Sequence, residues 1–303
     1  LTKAPKFPAT TLAKRCYGSM FYDCGLTEIP ELPATTLEEA CYANMFMSCS
    51  KLREKPVLPA PTLATNCFLG MFSYPGLTEA PDLPATKLEY RCYAYMFREA
   101  KNLVKVPELQ AMELTSFCYE GMFESCTSLT TAPELPAQTL VSNCYNGMFK
   151  NCTSLNHIKV GVTTLDNDVK ATLNWVSGIT GGGYFVFPCG SKYNKHGVSE
   201  VPDYFKIVAS PVVIFQNPDS SVIFQDTVCD VTPECPITPT YGEGNVFLGW
   251  DPEPSKVTEP GKVYYYTAVY EKKDGDTIPN NWLCFTAEVG GSTVWYENYE
   301  GNN

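Results

Sequence analysis

Histidine is almost missing from this 303-residue chain: there are two, His157 and His196, and they do not sit at metal-ligand spacing from each other. The recurring cysteines form C-x7-C pairs, not the C-x2-C of zinc sites. Gly181-Gly182-Gly183 is too short to cradle a phosphate and lacks the Lys-Ser or Lys-Thr that completes such a loop. No G-x-S-x-G or H-E-x-x-H constellation occurs. Catalysis, a resident metal and a cofactor are therefore not expected. Cations are scarce as well, with 22 Lys and Arg against 33 Asp and Glu and a formal net charge of −11. Nucleic-acid binding needs a basic footprint, and anionic lipid attracts basic segments, so neither partner is expected. No run of 18 apolar residues is present, so no helical membrane span is expected. The acidity is uneven: residues 1–155 hold 13 basic and 15 acidic side chains, residues 156–303 hold 9 and 18.

What the chain has in abundance is repetition. LTKAPKFPATTLAKRCYGSMF, LTEIPELPATTLEEACYANMF, LREKPVLPAPTLATNCFLGMF, LTEAPDLPATKLEYRCYAYMF, LVKVPELQAMELTSFCYEGMF and LTTAPELPAQTLVSNCYNGMF start at Leu1, Leu26, Leu52, Leu77, Leu103 and Leu129, and a divergent copy starts at Leu155. A period of 25–26 residues lies in the range of solenoids, whose copies bury their apolar side only by stacking. Leu37, Cys41 and Met45 recur every four residues with Tyr42 and Phe46 beside them, which predicts a three-turn helix. Thr35 with Glu38, and Thr86 with Glu89, fit a capping box at its start. The LTEAPDL half predicts a brief strand, limited by Pro5, Pro30, Pro56, Pro81, Pro107 and Pro133 at one register.

The expected fold is thus an α/β repeat solenoid, right-handed, with one short strand and one helix per copy over residues 1–177. Leu12, Leu37, Leu63, Leu88, Leu114 and Leu140 should form one column of its core. Phe21, Phe46, Phe72, Phe97, Phe123 and Phe149 should form another. The divergent copy reads as a cap, and residues 178–207 as a cap strand and linker. Residues 208–273 show four strand patterns, VVIFQ, SVIFQDTVCDV, NVFLGWD and KVYYYTAVYEK, with turn residues between them. Trp250 is expected to anchor that small core. Residues 274–303 read as the truncated start of a further β-rich unit.

The run L-T-x-A-P-x-L-P-A-T-T-L followed by C-Y-x-x-M-F-x-x-C resembles the BspA-type leucine-rich repeats of bacterial surface proteins, in the variant of gut Bacteroidetes. The resemblance covers about residues 1–160. It implies an exported protein displayed on the cell surface or outside the cell, used for adhesion or other interactions with a protein or extracellular-matrix ligand. It carries over no catalytic residue. The order strand, strand, Pro-rich crossover, F-L-G-W, strand in 208–273 is similar to the Listeria–Bacteroides repeat, the internalin-type B-repeat, which implies a small β-grasp-like module. The chain reads as a monomeric fragment of a longer protein.

Cys16, Cys41, Cys67, Cys92, Cys118 and Cys144 share one register, and Cys24, Cys49, Cys126 and Cys152 share another. Stacked side chains that point the same way bond poorly, so all ten are expected to be reduced, inaccessible core thiols. Cys229 and Cys235 are better disulfide candidates, and the redox states of Cys189, Cys229, Cys235 and Cys284 stay open.

Two positions flanking each strand should face outward. One holds Lys3, Glu28, Glu54, Glu79, Lys105 and Thr131, the other Lys6, Glu31, Val57, Asp82, Glu108 and Glu134. Glu28, Glu31, Glu54, Glu79, Asp82, Glu108 and Glu134 form an acidic stripe. It is either a solvated face that discourages aggregation or a docking strip for a cationic partner. A glycan-binding module for nutrient capture is the alternative function. It needs exposed aromatics flanked by polar groups, which Trp175, Trp282 or Trp295 would supply if exposed.

Overall fold

The C-Y-x-x-M-F half of each copy is not a helix. In the computed structural model, which describes residues 1–165, 170–229 and 231–272 and the backbone of 285–289 and 292–296, no described residue is helical. The segment is a ribbon of overlapping turns built by two sets of backbone bonds. Within the second copy, every other amide closes on the carbonyl three residues back: Cys41 on Glu38, Ala43 on Ala40, Met45 on Tyr42, Met47 on Asn44. The intervening amides leave the copy. Ala40, Tyr42, Asn44, Phe46 and Ser48 donate to Thr65, Cys67, Leu69, Met71 and Ser73 of the next copy at 2.7–3.0 Å. An α-helix spends its amides on itself; here half of them tie neighbouring copies together, as a sheet does.

Every fourth residue of the ribbon is left-handed. Ala40, Asn44 and Ser48 have φ of 53°, 55° and 65°, and Asn66, Gly70 and Tyr74 of the third copy have 56°, 59° and 56°. Each sits third in its turn, where a type II turn requires positive φ. A right-handed helix has no place for such residues. The spacing of Leu37, Cys41 and Met45 is therefore the four-residue period of the ribbon, not a helical 3.6.

A strict period of four aligns side chains into columns. Phe21, Phe46, Phe72, Phe97, Phe123 and Phe149 stack with ring centroids 5.6–6.1 Å apart. Beside them Tyr17, Tyr42, Phe68, Tyr93, Tyr119 and Tyr145 stack at 5.8–6.0 Å. Both columns end on Trp175, 6.1 Å from Phe149 and 6.2 Å from Tyr145. Its ring is fully buried, and its indole N–H donates to the Glu200 carbonyl at 2.8 Å. The leucine column is looser: Leu12, Leu37 and Leu88 are buried, but Leu63, Leu114 and Leu140 only half so.

The proline half is no strand in the first six copies. It makes only isolated bridges, among them Thr11 with Thr36, Thr62 with Lys87, and Glu79 with Lys105. Proline cannot donate to a ladder, and most copies carry two in this half. Where the seventh copy has Lys159 in place of that proline, a strand appears. This β1 (His157–Lys159) pairs in parallel with β2 (Gly183–Val186), which pairs in parallel with β3 (Phe205–Val208). The expected α/β solenoid with one strand and one helix per copy is therefore replaced by a stack of turn ribbons and proline arms that ends in a parallel sheet. Residues 178–207, read as cap strand and linker, hold β2 and part of β3 within one compact unit, Leu1–Val208.

The second unit is Ala209–Asn303. Its strands β4 (Val212–Gln216), β5 (Val222–Thr227), β6 (Asn245–Asp251) and β7 (Val263–Lys272) fall on the four alternating segments. The sheet order is β5-β4-β7-β6, with a parallel central pair and antiparallel outer pairs. Val213, Phe215, Val257 and Tyr266 make the core. The Trp250 ring packs edge-on against Phe215 at 4.7 Å and Phe247 at 5.1 Å. Two further strands, β8 (Phe285–Val289) and β9 (Ser292–Tyr296), pair antiparallel; the rest of 274–303 lies outside the described residues.

Candidate functional site

The proline arms carry the acidic stripe, and the structure breaks it up. Glu28, Glu31, Glu54, Asp82, Glu108 and Glu134 are exposed and Glu79 is partly so. Lysines from neighbouring arms neutralise three of them: Lys105 pairs with Glu79, Lys55 with Asp82 at 3.6 Å, and Lys159 with Glu134 at 2.9 Å. The hydrogen bond from Lys105 holds the Glu79 carboxyl below its ordinary value. Glu28, Glu31, Glu54 and Glu108 stand without an ion pair among the described residues. Shallow clefts separate successive arms. One of about 440 Å³ holds Lys3, Lys6, Glu28 and Glu31 among prolines, and one of about 410 Å³ holds Glu31, Glu54, Lys55 and Val57. A third of about 500 Å³ holds Glu108 and Glu134. Five of the seven carboxylates thus line separate clefts, Glu79 and Asp82 are engaged by lysines, and the set does not converge on one site.

The outward row is longer than the consensus copies reveal. Glu79 bridges Lys105, Thr131 bridges His157, His157 pairs with Tyr184, and Tyr184 with Lys206. The register that begins Lys3, Glu28, Glu54, Glu79 therefore continues Lys105, Thr131, His157, Tyr184, Lys206. It is acidic in copies two to four and basic and aromatic beyond. The sequence signal was the alternation in HIK, GYFV and FKIV, each with an outward polar or aromatic residue beside a buried one.

Charges on the ribbon side escaped the sequence reading altogether. Buried Glu120 accepts from Arg91 at 2.7 Å and from the Asn146 amide at 3.3 Å. Glu124 pairs with Arg98 at 3.0 Å and Lys150 at 3.4 Å. Each acid reaches one copy back and one copy forward, so the cluster pins copies four to six together rather than opening a site. Burial and the adjacent Glu120 raise the Tyr95 phenol to about 12. Among the described residues, no three His, Cys, Asp or Glu side chains converge as metal ligands would.

All ten repeat cysteines are free thiols, and eight are buried. Cys16 is exposed and Cys24 half-buried, which corrects the expectation that every one is inaccessible. Both belong to the copy that starts at Leu1. The S–H groups of Cys49, Cys126 and Cys152 donate to the carbonyls of Phe21, Phe97 and Phe123 at 3.0, 3.2 and 3.0 Å. A small apolar side chain with a weak donor suits that place. A thiol reagent at neutral pH should label Cys16, Cys24 and the half-buried Cys235 promptly and the eight buried repeat cysteines only after denaturation. Peptide mass mapping reads this directly, and prompt native labelling of Cys92 or Cys126 would contradict it. Cys229 is disulfide-bonded whereas Cys235 is free, so the bond for which those two were candidates is not formed.

Trp175 is buried at the head of both ring columns and offers no platform for a ligand. Trp282 and the side chain of Trp295 lie outside the described residues. Comparison of the chain with protein-family models, with curated proteins and with solved structures returned no match.

Proposed function

We propose that this chain is a non-catalytic interaction scaffold of a bacterial surface protein, and that its outward row of proline arms docks a protein or matrix partner. One observation carries the reading. The inward columns repeat one residue type from copy to copy, as Phe21 to Phe149 do, while the outward register changes as Lys3, Glu28, Glu54, Glu79, Lys105 and Thr131. Packing constrains the first set; the second is free to carry individual chemistry. Bonds between copies at every ribbon step hold these positions in fixed order, and a preorganised surface loses less freedom on binding. Export rests on the resemblance of the repeats to surface-protein repeats.

The contact is the group of unpaired carboxylates in copies two and three. Reversing Glu28, Glu31 and Glu54 to lysine together should lower the association rate with an immobilised matrix-protein panel about tenfold at low salt and flatten its salt dependence. The thermal midpoint should hardly move, because these side chains are exposed. Surface plasmon resonance checks this. A panel that never binds, or binding indifferent to the three reversals, would overturn the reading.

A further inference from the structure

We propose that the outward face of β1–β3 binds an acidic oligosaccharide, with sugar rings seated on Tyr184 and Tyr204 and the anionic group on Lys206. Tyr184 is 53% exposed and Tyr204 is 70% exposed. Phe185 and Phe205, which alternate with Tyr184 and Lys206 on β2 and β3, are buried, so strand geometry turns Tyr184 and Lys206 to the solvent side. Tyr184 is the cross-strand partner of both His157 and Lys206, which sets the three in one rung on strands about 4.8 Å apart. Tyr204 lies in the turn closed by the Phe205 amide on the Pro202 carbonyl, directly before β3, and is exposed beside this face.

Glycine leaves room beside these rings. A Cβ at Gly181 would meet nothing within 4 Å, and one at Gly182 would come only to 3.6 Å from the Tyr204 carbonyl. The glycine stretch thus leaves open space next to the backbone of Tyr204. The fold does not need these rings: its aromatic columns run inside and close on Trp175. Two flat rings beside a hydroxyl at Thr131, an imidazole at His157 and an ammonium at Lys206 match the apolar face, hydroxyls and acidic substituent of a charged sugar.

Charge narrows the occupant. Lys159 is occupied by Glu134, but Lys206 makes no ion pair among the described residues. One free ammonium at Lys206, with the His157 imidazole on the far side of Tyr184, suits a single carboxylate or sulfate per sugar. It does not suit a polyphosphate, whose closely spaced charges need several cations where this face offers Lys206 alone among the described residues. An acidic peptide would use the ammonium but leave both rings idle.

The site shares no residue with the carboxylates of the scaffold reading, so the two stand or fall separately. The test is calorimetric titration of the intact chain with tetragalacturonate, a sulfated heparin tetrasaccharide, cellotetraose and tetraglutamate. At least one charged sugar should bind, and the tighter of the two identifies the anionic group. Cellotetraose should bind about tenfold more weakly. Tyr184→Ala and Tyr204→Ala should each weaken charged-sugar binding about tenfold. Lys206→Met should abolish the preference over cellotetraose, and Lys51→Met, at an exposed position outside both proposed contacts, should change nothing. All four replaced side chains are at the surface, and an unchanged thermal midpoint confirms that each variant is folded. The proposal is overturned if no sugar binds at millimolar concentration, if tetraglutamate binds as tightly as the charged sugars, or if the tyrosine variants bind normally.

Discussion

Trp175→Ala should destabilise the first unit by about 3–5 kcal/mol, the range for truncating a buried aromatic to alanine. For a unit of this size that is a fall in thermal midpoint of roughly 10 °C. The effect should exceed that of alanine at any single phenylalanine of the column. Trp175 closes both ring columns at once, contacting Phe149 and Tyr145 on one side and Phe185 at 5.8 Å on the other. Removing the indole also strands the Glu200 carbonyl that accepts its N–H at 2.8 Å. Trp175→Phe keeps most of the ring and loses only that donor, so it should cost roughly 1–3 kcal/mol beyond any packing loss. Denaturant unfolding followed by circular dichroism compares the two. A loss below 1 kcal/mol for the alanine variant, on the same order-of-magnitude scale, would mean that the columns do not depend on their terminal ring.

Mild alkali should unfold the first unit. Burial pushes the thiols of Cys41 and Cys144 up to about 11 and those of Cys67, Cys118 and Cys152 up to about 12. Burial likewise raises Cys92 and Cys126 well above the ordinary thiol value, and it lifts the phenols of Tyr93, Tyr119 and Tyr145 well above theirs. An unfolded chain gives up its thiol protons near pH 8.5, whereas the folded chain keeps them until the pH reaches the raised values. Above about pH 8.5 the unfolded state therefore binds fewer protons, and stability falls as pH rises. Below that pH the contribution is intact. Each thiol costs roughly 1 kcal/mol per pH unit in this window. Five or more titrating together would consume a typical stability of about 5–15 kcal/mol within one to three units. The expected midpoint is near pH 10 to 11 on that reckoning, measured by circular dichroism under reducing conditions. Alanine at Cys67 and Cys92 together should move it upward. A unit still folded at pH 12, or a midpoint indifferent to those replacements, would show that the thiols are not what limits stability in alkali.

The carboxylates show how far a repeat can be read. Their register was visible because identical spacing recurs, but the partners of Glu79, Asp82 and Glu134 sit one copy away and reach them only in the stack. Lys105 was even counted in the same outward row as Glu79, with no sign in the sequence that the two side chains meet. Tyr184 and Lys206 were missed for a related reason. The consensus fails after Leu155, so the alternation in HIK, GYFV and FKIV marks short strands but not the register in which β2 and β3 continue the row.

By itself the sequence determined the period, the inward columns of Phe21 to Phe149, and the strand positions of the second unit. All are local patterns of residue type, and burial selects residue type directly. It did not determine the backbone between those columns. A spacing of four residues serves an α-helix and a turn ribbon alike, and the choice lies in where the amides donate. In the stack, Tyr42 gives its proton to Cys67 of the next copy. Its sequence trace is the left-handed residue in every fourth place, plain at Asn44, Gly70 and Gly147 but hidden where Arg15, Ala40 and Phe117 adopt the same φ. Only the neighbouring copy holds those residues there, because bonds between copies exist in the folded stack and in no single repeat.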